Sequence, residues 1–154
     1  MNLEQNVNEK EQKAADDIEK YGCHILHVKE DAEGPRFSYS IGINETADRP
    51  DIIIFGLKKD LAVWVINEYY RRVKEGEVFE PSQFYSGFIE SHDITFLEVA
   101  KEYYKECLGW GLWYYRGDDF RMMQLVFPST SGLWPWDDGA PEDFIWLQPL
   151  LRTC

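Results

Sequence analysis

The chain has 154 residues, with 28 Asp and Glu against 16 Lys and Arg and a formal net charge of −12. That surplus repels polyanions and argues against DNA or RNA as a partner; a basic protein surface, a cation or a compact uncharged ligand suits it better. The length suits one domain with a core of its own, and no run approaches the roughly 20 apolar residues of a membrane helix.

Six Trp, nine Tyr and nine Phe supply large rigid contact area, for a core or for a binding face. Met1 to Lys20 holds no apolar run of the kind a signal peptide needs, so a soluble cytoplasmic protein without membrane contact is expected. Cys23, Cys107 and Cys154 are odd in number and lack paired spacing, which gives neither a disulfide framework nor a zinc signature. Cys23 and Cys107 read as core residues and Cys154 as a mobile terminal thiol.

Residues 1–20 are polar, and the stripe of Ala14, Ala15, Ile18 and Tyr21 predicts a frayed amphipathic helix from about Glu9 to Lys20, stopped by Gly22. Residues 21–154 follow as a single globular unit. Cys23 to Val28 reads as a strand, Glu33-Gly34-Pro35 as a turn, and Phe37 to Ile43 as a second strand with Phe37, Tyr39 and Ile41 facing away from Ser38 and Ser40. The pair predicts an antiparallel hairpin. After a loop over Asn44 to Pro50, Asp51 to Leu57 is a third strand whose unbroken apolar run suggests burial on both faces.

Asp60 is placed to cap a helix striped by Ala62, Val65, Ile66, Tyr69, Tyr70 and Val73 and ended by Gly76. Val78 to His92 reads as an aromatic loop and Asp93 to Val99 as a fourth strand. A helix from about Lys101 to Tyr115 carries Gly109 and Gly111, which points to a bulky group packed against its backbone. Gly117 closes it, Met122 to Phe127 is a fifth strand, and an ordered aromatic tail completes the chain. The expected class is α+β: a mainly antiparallel five-stranded sheet with about three helices.

Several blocks carry a resemblance. They are Gly22-Cys23-His24, Glu33-Gly34-Pro35, Phe37-Ser38-Tyr39-Ser40-Ile41-Gly42, Phe55-Gly56-Leu57, Gly117-Asp118-Asp119-Phe120, Gln124-Leu125-Val126-Phe127-Pro128, Pro135-Trp136 and Leu147-Gln148-Pro149-Leu150-Leu151. In this order they resemble the bacterial family called domain of unknown function 4262, over about Gly22 to Leu151. The resemblance implies a bacterial or phage cytoplasmic protein of one domain, and it implies no reaction. The family usually carries Trp at Cys23, His at Arg49, Pro at Arg121 and Trp at Phe127, so a role for a histidine before Pro50 does not carry over.

The residues themselves offer candidate chemistry. Asp118 and Asp119, paired at a turn, suit a divalent metal such as Mg²⁺, or else accept backbone N–H bonds locally. His24 and His27 lie an odd number apart on a strand and face opposite ways, which separates them as ligands; His24 alone remains a candidate site imidazole. Ser40 is not in a nucleophile elbow. Gln124 interrupts a strand that otherwise reads as buried and needs partners, either a structural network or a ligand's polar edge. Trp134-Pro135-Trp136-Asp137-Asp138 is the strongest candidate binding element, two indoles on a stiffened loop followed by acids. The aromatics Tyr69, Tyr70, Tyr103, Tyr104, Trp110, Trp113, Tyr114 and Tyr115 outnumber one helical stripe, so some are expected at the surface or in a homo-oligomer interface.

Two functions follow. The first is an acidic interaction module of the inhibitor or immunity type that binds a basic partner. The second is a protein that binds a small molecule such as a nucleotide-like ring, or a metal-assisted hydrolase. Its pocket would draw on Tyr39, Ser40, Gln124, Trp134, Trp136 and the Asp118-Asp119 turn.

Overall fold

The computed structural model describes the backbone of residues 3–152 and the side chains of residues 9–152. Cys154 lies outside the described residues. In chain order come α1 (Leu3–Tyr21), β1 (His24–Val28), β2 (Phe37–Ile41), α2 (Ile43–Ala47), β3 (Asp51–Phe55), α3 (Lys59–Lys74), β4 (Phe84–Ile89) and β5 (His92–Glu98). A 3-10 turn over Lys101–Tyr103 then leads to α4 (Tyr104–Cys107), α5 (Gly109–Tyr115), β6 (Met122–Val126) and α6 (Glu142–Leu147).

The class is α+β, built on one sheet of six strands in the order β1-β2-β3-β6-β5-β4. The expected five mainly antiparallel strands are corrected in two ways. β4 is an additional strand inside the expected aromatic loop, and β3 pairs in parallel with β6, Asp51 opposite Met122 and Ile53 opposite Gln124. β1–β2, β2–β3, β4–β5 and β5–β6 are antiparallel. An edge strand with Phe88 as its one fully buried residue shows no alternation to read, and β4 is further interrupted by a register shift between Tyr85 and Ile89.

Helices cover both faces. On one side Val65, Ile66, Tyr69, Tyr70 and Val73 of α3 pack against Ile52 and Ile54 of β3, Ile94 and Phe96 of β5, and Met123 and Leu125 of β6. On the other side Ala14 and Ile18 of α1, Tyr104 of α4 and Leu108 meet Tyr39, Ile41, Ile53, Phe55 and Met122. β3 is therefore buried along its whole length, as its apolar run implies. The side-chain alternation of β2 places Tyr39 and Ile41 on the face covered by α1, α4 and α5 and leaves Ser38 and Ser40 on the opposite face.

Four local expectations change. α3 begins at Lys59 with Asp60 in its first turn and no side-chain cap. The expected loop before Pro50 contains α2, and the tail contains α6. The helix from Lys101 to Tyr115 is broken at Leu108 (φ −119°, ψ 41°), whose side chain is fully buried. Beyond that break Gly111 lies under the Phe120 ring, and a Cβ there would come within 2.8 Å of it, whereas Gly109 faces open space.

Candidate functional site

Among the described residues, the most heavily hydrogen-bonded side chain is one the sequence motifs leave unmarked. Asp51 opens β3 and is fully buried. Its Oδ1 accepts from the Ser40 hydroxyl (2.7 Å) and the Ile43 N–H (3.0 Å). Its Oδ2 accepts from the Asn44 N–H (3.3 Å), Asn44 Nδ2 (2.7 Å) and the Tyr115 hydroxyl (2.5 Å). Burial pushes the carboxyl pKa up, and the donors from Tyr115, Asn44, Ser40 and Ile43 pull it back. Ser40 also accepts the Ile52 N–H and Tyr115 accepts the Gly42 N–H, so each hydroxyl is directed to donate to Asp51. The network ties β2, α2, β3 and α5 together. The signal in the sequence is an acid set directly against an apolar run that has no solvent-facing side.

Gln124 is fully buried and serves the tail. Its Nε2 donates to Pro149 O (2.8 Å) and its Oε1 accepts the Leu151 N–H (2.9 Å). Gln148, equally buried, pairs in the same manner with the backbone of Phe127: N–H to Oε1 at 3.0 Å and Nε2 to the carbonyl at 2.8 Å. Two side-chain amides thus stand in for backbone ladder bonds and fasten the tail to β6. Substituting Gln148→Ala is expected to cost about 1–3 kcal/mol by leaving both Phe127 groups without partners. Faster amide exchange at Phe127 and Leu151, measured by NMR, is the check.

Trp134 and Trp136 stack with ring centroids 5.3 Å apart and planes within 5°. Pro135 between them is buried, and Asp137 accepts the Trp134 N–H (2.9 Å), which closes the turn. Phe84 of β4, 56% exposed, packs against Trp134 at 5.4 Å. Arg152 places its guanidinium 5.4 Å from the centre of the Trp136 ring. The result is a surface ladder in the order Phe84, Trp134, Trp136, Arg152. Around it, residues 129–151 contain Asp137, Asp138, Glu142 and Asp143 and no Lys or Arg. α6 in the same segment exposes Ile145 and Trp146, 43% and 48% accessible.

The other sequence-marked residues lie apart from this ladder. Tyr39 is buried under α5, its hydroxyl accepting the Trp110 N–H (3.1 Å), and burial pushes its pKa up to about 12. His24 pairs through Nδ1 with Asp17 of α1 (2.8 Å) beside the Trp110 ring, whereas His27 Nδ1 meets the Ser38 hydroxyl (2.6 Å). Burial, aided by Lys59, Arg36 and Lys29, lowers the His27 pKa and favours the neutral ring. Asp118 and Asp119 are exposed, and Lys101 donates to the carbonyls of Asp118 and Phe120. Among the described residues no three His, Cys, Asp or Glu side chains gather as a metal-ion set, so no third such ligand joins Asp118 and Asp119 at the turn. The pocket residues are not convergent: Ser40 serves Asp51, Gln124 the tail, and the tryptophans the surface.

Most helix aromatics are engaged within the fold. Tyr69, Tyr70 and Tyr104 are buried, Tyr115 binds Asp51, and the Tyr114 hydroxyl donates to Glu45 (2.9 Å). Trp110 and Trp113 pack edge to face at 5.4 Å, leaving Trp113 38% exposed. Cys23 is buried, and its thiol is pushed up to about 12 by burial, with Asp51 and Asp17 adding. No helix among the described residues is long and apolar enough to cross a membrane.

The family model described as Domain of unknown function (DUF4262) matches residues 17–141, most of the chain, and the protein belongs to that family. No curated protein and no solved structure matches it.

Proposed function

Starting from membership of this family, we propose that the protein is a cytoplasmic interaction module, of the inhibitor or immunity type, that binds a basic partner protein through the Trp134–Trp136 ladder and the acidic segment around it. The supporting observation is a cation already seated on an exposed indole. Arg152 lies over Trp136 in a segment whose other ionisable groups are all acids. An indole face attracts a guanidinium or ammonium group by about 0.5–2 kcal/mol, and nearby carboxylates steer such groups towards it. A partner's Arg or Lys would replace Arg152 there. The second function, a small-molecule pocket or metal-assisted hydrolase near the Asp118-Asp119 turn, has less support because its residues do not share one concavity.

The test is capture from the host lysate on the immobilised full chain, followed by calorimetry with the purified partner. The expected partner is basic, and its affinity falls steeply as salt rises. Trp136→Ala is expected to weaken binding by about tenfold or more, and Arg152→Ala to leave it equal or tighter. A partner that binds equally well to Trp136→Ala, or an acidic partner, would overturn the proposal.

A further inference from the structure

β1 is an edge strand. It pairs with β2 on one side, and its other edge makes no backbone hydrogen bond among the described residues. Open edges are commonly protected by a bulge, a proline or an inward charge. β4, at the far end of the sheet, carries such a device in the register shift around Gly87 (φ +92°). β1 has none: His24-Ile25-Leu26-His27-Val28 runs in unbroken register against β2.

A groove of about 860 Å³ lies at this edge. One wall is α1, through Lys13, Asp17 and Tyr21, one residue per turn. The opposite wall is α3, from Val63 to Lys74, and Cys23, His24 and Ile25 form the floor. α1 and α3 cover opposite faces of the sheet, and the cavity they both line borders the start of β1 at His24 and Ile25. The α3 wall from Val63 to Lys74 is roughly 16 Å long, which matches about five residues of extended chain.

The groove also differs in charge from the rest of the protein. Its lining holds Lys13, Arg71 and Lys74 against Asp17 and Glu75, three cations to two acids, in a chain where acids outnumber Lys and Arg 28 to 16. Lys13 pairs with Asp17, and Arg71 with Glu68 and Glu75. Lys74 has no carboxylate within ion-pair distance among the described residues and rests over the Tyr70 ring at 5.2 Å.

We propose that this groove receives an extended peptide segment of a partner protein by strand addition to β1, with an acidic side chain of that segment pairing with Lys74. Main-chain hydrogen bonds to the β1 edge supply most of the contact, and the α3 wall selects the acid. The surface is separate from the Trp134–Trp136 ladder.

Selection of random linear heptapeptides on the full chain, followed by calorimetry with synthetic winners, tests it. The winners are expected to alternate apolar residues around an Asp or Glu. N-methylation is expected to abolish binding at every second residue and to be tolerated between, the signature of an added strand. Lys74→Glu, at an exposed position and verified as folded by circular dichroism, is expected to weaken binding by about tenfold, while Trp136→Ala leaves it unchanged. No enriched peptide, tolerance of N-methylation at every position, indifference to Lys74→Glu, or self-association through β1 seen by sedimentation would each overturn the proposal.

Discussion

Replacing Asp51 by alanine is expected to lower stability by about 3–5 kcal/mol, the range for removing one member of a buried charged network. Five donors converge on this one carboxylate, and only Asn44 Nδ2 has another acceptor in place, the Arg121 carbonyl at 2.8 Å. The Ser40 and Tyr115 hydroxyls are already acceptors for backbone N–H groups, so they have no free choice of direction. In Asp51→Ala the N–H groups of Ile43 and Asn44 at the start of α2 lose their only side-chain acceptor. Asp51→Asn is expected to fall short of the wild type too, by about 2–4 kcal/mol, because its amide hydrogens would face donors. Tyr115→Phe removes a single donor and is expected to cost about 1–3 kcal/mol. Urea unfolding monitored by tryptophan fluorescence gives the three values. For a chain of this size the alanine variant corresponds to a fall in Tm of roughly 6–20 °C. A loss under about 1 kcal/mol for Asp51→Ala would show that the network contributes little.

Gly22→Ala is expected to be comparably damaging for an unrelated reason. Gly22 turns the chain from α1 into β1 at φ +94°, a region that residues with a Cβ seldom occupy. A Cβ there would lie 1.8 Å from Tyr70 Oη and 2.4 Å from Cζ. Tyr70 is poorly placed to yield, since its ring is buried against α3's neighbours. Its hydroxyl lies 3.0 Å from Thr46 Oγ1, which itself donates to the Gly22 carbonyl at 2.7 Å. Conformational strain of about 1–2 kcal/mol and overpacking of about 1–3 kcal/mol add to roughly 2–5 kcal/mol. Gly76→Ala separates the two contributions. Gly76 has φ +100° but nothing within 4 Å of an added Cβ, so only the strain of about 1–2 kcal/mol is expected. Equal losses in the two variants would show that the Tyr70 contact is relieved without cost.

Side-chain period explains which features were legible in advance. The stripe on α3, the alternation of Tyr39 and Ile41 against Ser38 and Ser40, and the apolar run of β3 each report how many faces of an element are buried. The strand at Phe84–Ile89 lacks that signal because its exposed edge position does not constrain the pattern. The parallel pairing of β3 with β6 lacks it too, since residues far apart in sequence carry no local mark of being neighbours. Gln124 was legible as a polar group needing partners, but those partners, Pro149 and Leu151, come from the docked tail.

By itself the sequence determined the α+β class, the family, the net negative charge and the positions of most elements, because composition and local periodicity are properties of short stretches of chain. Only the tertiary structure decided that the pocket residues are divided among a buried carboxylate network, a tail clamp and a surface ladder. Only it opened a two-walled groove at the β1 edge. Convergence of side chains depends on strand order and on which helix covers which face of the sheet. Both are settled by burial across the whole chain rather than within any one segment.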